Sequence, residues 1–204
     1  MEITEFTTKY ALEFSQAVQA IEATDGSGNK LEFKAGIELA VDILLQLQAG
    51  NQRIYIVGNG GSAAIASHAA IDLWKNAGIP AVTFNDSSLL TCISNDIGFE
   101  DVFAAPLEMF ASKGDLVICI SSSGNSADIV KACQTALQKQ CRLITFSGFS
   151  PDNKIRPLGN INFFVPSFSY GFAEIIHQYI LHCILDAKMY CRDAKDIFNK
   201  NLNF

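Results

Sequence analysis

The sequence predicts a doubly wound α/β fold on a five-stranded parallel sheet, and three observations carry that reading. Five short apolar, β-branched runs recur at residues 54–57, 81–84, 116–120, 143–146 and 161–165, each the length of a strand. Helical stretches alternate with them, as the crossovers between parallel strands require. The runs are apolar at nearly every position, which suits strands covered on both faces.

Two amphipathic helices are expected before the first strand. Phe6, Tyr10, Phe14, Val18 and Ile21 recur at helical spacing, and a second helix runs from about residue 31 to 47, ending near Gly50-Asn51. Between them, Thr24-Asp25-Gly26-Ser27-Gly28-Asn29 has the composition of a loop. A final helix is expected from about residue 172 to 187, after Pro166, and the stretch 188–204 shows no clear period. No repeat, low-complexity tract or linker divides the chain. A single domain over residues 1–204 is therefore expected: helices to residue 50, a core over 52–187, and a tail.

With 204 residues, 49% hydrophobic and 18% charged, the chain holds enough apolar material for one complete core. The net charge of -6 argues against a nucleic-acid or acidic-membrane partner, which needs a surplus of Lys and Arg. It also constrains any phosphate site, which must rely on backbone N–H groups and hydroxyls. Cys92, Cys119, Cys133, Cys141, Cys183 and Cys191 form no C-x-x-C pair, and buried reduced thiols in a cytoplasmic protein are expected. Residues 1–10 lack the basic and apolar regions of a signal peptide, and no apolar stretch reaches bilayer length.

Ligands of open parallel sheets bind beyond the carboxyl ends of the strands. The first strand leads there into Gly58-Asn59-Gly60-Gly61-Ser62, and the third into Ser121-Ser122-Ser123-Gly124-Asn125-Ser126, each followed by a helix. Glycines admit a ligand close to the backbone, and a helix N-terminus offers unpaired N–H donors. Neither loop has the lysine of a P-loop, so nucleoside triphosphate hydrolysis is not expected. A competing reading exists, because Gly58-x-Gly60-x-x-Ala63 also fits a dinucleotide fingerprint and Asp86 ends the second strand. The serine loop favours a phosphosugar and no nucleotide cofactor.

The three histidines are His68, His177 and His182. His68 and Asp72 share one helix face, and Glu174, Gln178 and His182 form a polar stripe at intervals of four on the apolar final helix. Such groups suit acid–base work or a borderline metal such as Zn²⁺, with His177 the one expected to be purely structural. Eight helical residues span about 12 Å, so Glu174 and His182 share a metal only by leaning inward. Otherwise they serve different points of a substrate, or different subunits.

Residues 58–62, 68–73, 92–96 with Gly98-Phe99, 120–126 and 174–182, with Gly114-Asp115 before the third strand, resemble the SIS (sugar isomerase) domain family. Within it they resemble the phosphoheptose isomerases. The resemblance implies a flavodoxin-like fold, a homotetramer with sites near subunit interfaces, and the interconversion of sedoheptulose 7-phosphate with an aldoheptose 7-phosphate. It further implies sugar contacts at Asn59, Gly60, Gly61, Ser62, Asn95 and Asp96, phosphate contacts at Ser121, Ser122, Ser123 and Ser126, and a substrate contact at Glu174. Asp72 stands at the position of the general base and His182 at that of the general acid. His68, Asp72, Glu174 and His182 stand at the positions of the zinc ligands.

The departures from the family bear on specificity. Asp72 replaces a glutamate, and Glu174 replaces a glutamine and adds a negative charge. The segment between Leu73 and Pro80 is short and lacks the family's arginine, with Lys75 nearby. Ser169-Tyr170-Gly171 replaces an aspartate-bearing stretch before the final helix. The other reading within the family is a non-catalytic phosphosugar-binding or regulatory module of the replication-initiator-associating type.

Overall fold

The computed structural model describes residues 3–193. Its elements in order are α1 (Ile3–Gln19), β1 (Glu22–Asp25), β2 (Lys30–Leu31), α2 (Phe33–Gly50), β3 (Ile54–Gly58), α3 (Gly61–Lys75), β4 (Ala81–Thr83) and α4 (Ser87–Asp96). A 3-10 turn at Phe99–Asp101 follows. Then come α5 (Ala104–Phe110), β5 (Leu116–Ser121), α6 (Ala127–Gln138), β6 (Arg142–Gly148), β7 (Ile161–Val165) and α7 (Tyr170–Asp193).

The five expected strands are β3 to β7, all parallel, in the order β7-β6-β5-β3-β4. That is the doubly wound order predicted from the alternating runs. The loop reading holds for residues 26–29 but not for Thr24 and Asp25, because residues 22–31 form a hairpin that extends the sheet to seven strands. β1 runs antiparallel along β7, with Ala23 opposite Phe163, and β2 pairs on its far side. The turn closes on Asp25, whose carboxylate accepts from the N–H groups of Ser27 and Asn29, 2.9 Å each. Ala23 and Thr24 are buried, but two inward positions in four residues leave no readable alternation.

The pleat sends alternate side chains into two separate cores. Ile54, Ile56, Leu116, Ile118, Ile120, Ile144 and Phe146 face α2, α3 and α7. Tyr55, Val57, Val117, Cys119 and Leu143 face α5 and α6. Burying both faces makes the strands apolar throughout. It also places α3 and α7 side by side on one face. Cys119, Cys133 and Cys141 are buried, whereas Cys92 and Cys191 are exposed, and all six cysteines are free. The final helix runs further than its expected end at residue 187, to Asp193; residues 194–204 of the tail lie outside the described residues. Among the described residues no helix is long and apolar enough to cross a membrane.

α1 is amphipathic as predicted but contains no fully buried residue. Tyr10 and Phe14 pack edge-on against Phe172, at 4.7 and 5.6 Å between ring centroids, while Ile3, Phe6 and Leu12 remain exposed.

Candidate active site

β3 is flanked by β4 on one side and β5 on the other, so the chain leaves β3 and β5 toward opposite faces of the sheet. A crevice opens where they diverge. It holds a pocket of about 250 Å³ lined by Asn59, Gly60, Gly61, Ser62, Ser121, Ser122, Ser123, Ser126, Ile120, Tyr170 and Glu174. No lysine or arginine contributes to it. α3 reaches the pocket with its first turn and α6 with its N-cap, and neither N-cap closes its helix with a side chain. Gly60, the N-cap of α3, sits at φ 54, a conformation glycine adopts at little cost. At α6 the N-cap is Ser126, whose hydroxyl is thus left for a ligand.

The serine loop is partly self-supporting. Ser121 Oγ accepts from the Gly124 N–H at 3.1 Å, and Ser123 Oγ accepts from the Asn125 N–H at 3.2 Å. Ser122 differs: its hydroxyl is buried and has no partner. Buried hydroxyls are normally satisfied, so an orphan lining a polar pocket is open to a ligand or a water. The two loops are tied together by Asn59 Nδ2, which donates to Asp128 Oδ2 at 2.8 Å.

Two turns further along α3, a second polar cluster lies between α3 and α7. Asp72 Oδ2 faces both imidazoles, at 3.1 Å from His68 Nε2 and 3.9 Å from His182 Nδ1. Its other oxygen accepts from Asn76 Nδ2 at 3.1 Å. Gln178 Nε2 stands 3.2 Å from His68 Nδ1, which holds the ring with Nε2 toward Asp72. The imidazole rings meet edge-on at 5.2 Å. The side chains of His68 and His182 are 51% and 43% exposed, so the cluster is reachable from solvent. Behind it lies a cavity of about 30 Å³ walled by Ile65, Leu73, Ile118, Phe146 and Leu181, space on the scale of a water molecule, not a sugar.

The SIS domain family model matches residues 16–148 of the chain. Phosphoheptose isomerase of Helicobacter hepaticus is 38% identical over 156 residues, spanning 74% of this chain and 79% of that protein. Phosphoheptose isomerase of Geobacter sulfurreducens is 34% identical over 161 residues, spanning 76% and 85%. The solved structure of phosphoheptose isomerase GmhA from Neisseria gonorrhoeae superposes with a TM-score of 0.78 at 26% identity, over 92% of this chain and 98% of that one. The chain belongs to the SIS-domain phosphoheptose isomerase family.

Within this family frame, the expected site residues fall into three places. Asn59, Gly60, Gly61, Ser62 and the four serines share the strand-end pocket. Of the four expected zinc ligands, the structure brings together His68, Asp72 and His182, with donor atoms within 4.8 Å of one another. Glu174 is not among them. It lies two turns earlier on α7 and lines the loop pocket, where a Cβ at position 61 would overlap its carboxylate. Of the possibilities the helix spacing left open, the separated one is realised. Asn95 and Asp96 do not reach the pocket either. They sit exposed at the end of α4, bonded to each other at 2.7 Å, beside Leu90, Ser94 and Phe99.

Asp86, the candidate ribose-binding acid, caps α4 by accepting from the N–H groups of Ser88 and Leu89. His177 is fully buried, and its Nε2–H donates to the Ser147 carbonyl at 3.1 Å. Burial lowers its pKa to about 4. It belongs to a buried network in which Asn162 Nδ2 bonds Thr145 Oγ1 and Ser147 Oγ. Sequence reasoning did not single out Asp128 or Asn76. Asp128 follows Ser126 by two positions, where an acid reads as an ordinary helix-start residue. Asn76 stands four after Asp72, a spacing that could have flagged the contact.

Proposed function

We propose that the chain is a single-domain phosphosugar aldose–ketose isomerase interconverting sedoheptulose 7-phosphate and D-glycero-D-manno-heptose 7-phosphate. The observation that carries this reading is the Asp72 carboxylate facing two solvent-accessible imidazoles, in a phosphoheptose isomerase family chain that also has an orphaned Ser122 hydroxyl in its loop pocket. The serine loop and the α6 N-terminus hold the phosphate. Asp72 takes the proton from the carbon beside the carbonyl, and His182 protonates the carbonyl oxygen to give an enediol. Returning the first proton to the neighbouring carbon, with loss of the other hydroxyl proton, completes the exchange of aldose and ketose.

The residues fit a zinc ion. Two imidazole nitrogens and one carboxylate oxygen form a three-ligand set of the catalytic kind, and spacings of 3.1 and 3.9 Å bracket the roughly 3.4 Å between donors around tetrahedral zinc. His68, Asp72 and His182 would hold the ion, and Zn²⁺ bound there supplies Lewis-acid polarisation of the substrate oxygen.

Asp72 lies about 16 Å along α3 from Gly61, further than a heptose phosphate extends. This supports a site shared between chains, in which the serine loop of one copy faces the Asp72–His182 pair of another within a homotetramer. Ile71 and Trp74 on α3 and Ile175 and Tyr179 on α7 are exposed and supply apolar surface for that neighbour. The free cysteines suit a reducing, cytoplasmic setting.

Asp72→Asn and His182→Gln are expected to abolish turnover of sedoheptulose 7-phosphate while calorimetric binding of that sugar persists. Undiminished turnover in both sinks the mechanism. A mixture of Asp72→Asn and Ser122→Ala chains, reassembled together, is expected to recover part of the activity; failure to recover any, with a mixed oligomer confirmed by mass, argues for sites within one chain.

A further inference from the structure

Glu174 is the one charged residue lining the loop pocket among the described residues, and its position there is peculiar. The pocket has the features of an anion site: two helix N-termini and five serines, one of which has a buried hydroxyl without a partner. Yet a carboxylate lies against the first turn of α3, so close to Gly61 that any side chain there would overlap it. This carboxylate makes no hydrogen bond or ion pair with any described residue. The two sides of the pocket are therefore electrically unlike. On the α6 side, only hydroxyls and backbone N–H groups face the ligand. On the α3 side, the partial positive charge of the helix end already faces a negative group. Asp128, in the first turn of α6, is 97% shielded from solvent, bonded to Asn59 and outside the pocket lining, so it does not face the ligand.

We propose that Glu174 restricts the pocket to sugars bearing one phosphate and no second anionic group. The inference rests on the phosphosugar reading above and adds to it a rule of selection. One phosphate docks at the serines, and the rest of the sugar extends toward Glu174. Sugar hydroxyls donate to the carboxylate in strong, charge-assisted bonds. A second phosphate or a carboxylate would meet like charge in a half-buried pocket with no lysine or arginine to offset it, where salt screens weakly. Specificity here comes from a repulsive element as much as from an attractive one.

The test compares sedoheptulose 7-phosphate with sedoheptulose 1,7-bisphosphate by isothermal titration calorimetry of the assembled protein. The wild type is expected to favour the monophosphate by about a hundredfold, and Glu174→Gln to shrink that ratio at least tenfold. Glu174→Asp, which keeps the charge, is expected to retain most of the ratio. An unchanged ratio in Glu174→Gln, with the monophosphate still bound, overturns this inference alone. Absence of monophosphate binding to the wild type overturns the phosphosugar reading with it. If the glutamine variant does not fold, the wild type still decides, because discrimination below tenfold overturns the proposal.

Discussion

The loop pocket and the Asp72 cluster lie at different levels of the same helix pair, α3 and α7, and they are built by different means. The pocket is mainly a product of backbone: two strand ends, two helix starts and a row of hydroxyls. The donors it offers an anion are N–H groups that the helices cannot satisfy internally. The cluster is a product of side chains alone. Asp72 is aimed by Asn76 on one oxygen and met by two imidazoles on the other, with His68 oriented in turn by Gln178. A backbone-built site tolerates loss of one donor among many, whereas a site made of three side chains depends on each of them. Binding and chemistry should therefore separate under mutation.

The largest effect is expected at the cluster. Asp72→Asn should lower kcat by roughly 10²–10⁴ and leave the Kd for sedoheptulose 7-phosphate within a few-fold, as read from steady-state kinetics and calorimetry. A comparable loss of affinity would mean that the two regions are not separable.

The next effect contrasts two histidines on α7. His182 is half-exposed in the cluster, while His177 is buried with a pKa lowered to about 4. Its Nε2–H is held by the Ser147 carbonyl and its Nδ1 has no partner, so a second proton would create a buried unpaired charge. The unfolded chain binds that proton near pH 6.5, the folded chain only near pH 4. Stability is therefore complete above pH 6.5 and falls as pH drops through this window, by roughly 3 kcal/mol in total. His177→Gln, which can still donate to the carbonyl but does not titrate, should flatten that part of the stability–pH curve in urea melts.

Asp128→Ala should come third. Removing the partner of Asn59 breaks the only side-chain hydrogen bond described between the two loops and costs about 1–3 kcal/mol, seen as a lower urea midpoint. It should raise KM more than it changes kcat. The smallest effect is expected at Ser126→Ala, about tenfold in Kd with kcat unchanged, because the neighbouring hydroxyls and N–H groups remain. For the metal, Zn²⁺ should raise the melting temperature of the wild type and not of His68→Ala.

How much of this was legible in the sequence depended on the range of the interaction. The five core strands declared themselves because burial on both faces makes each run apolar, and the two loops because Gly and Ser cluster where a strand turns into a helix. His68 with Asp72 was readable because residues four apart share a helix face. The β1–β2 hairpin was missed because its stability comes from pairing with β7, about 140 residues away, and not from its own composition. Placement was also not legible at α4, where a motif containing Asn95 and Asp96 lies on an exposed helix apart from the pocket of the same chain.

The sequence by itself determined the doubly wound sheet, the two cation-free loops after β3 and β5, and the pairing of acid with imidazole on α3. Local spacing and burial patterns are enough for those, since each is written within one or two elements. Only the tertiary structure decided how Glu174, Gln178 and His182 divide along α7. All three share one stripe, but α7 packs beside α3, so each meets a different level of it. Glu174 meets Gly61 at the pocket, Gln178 meets His68, and His182 meets Asp72 in the cluster. That division depends on the alignment of two helices more than a hundred residues apart, which helical periodicity alone does not specify.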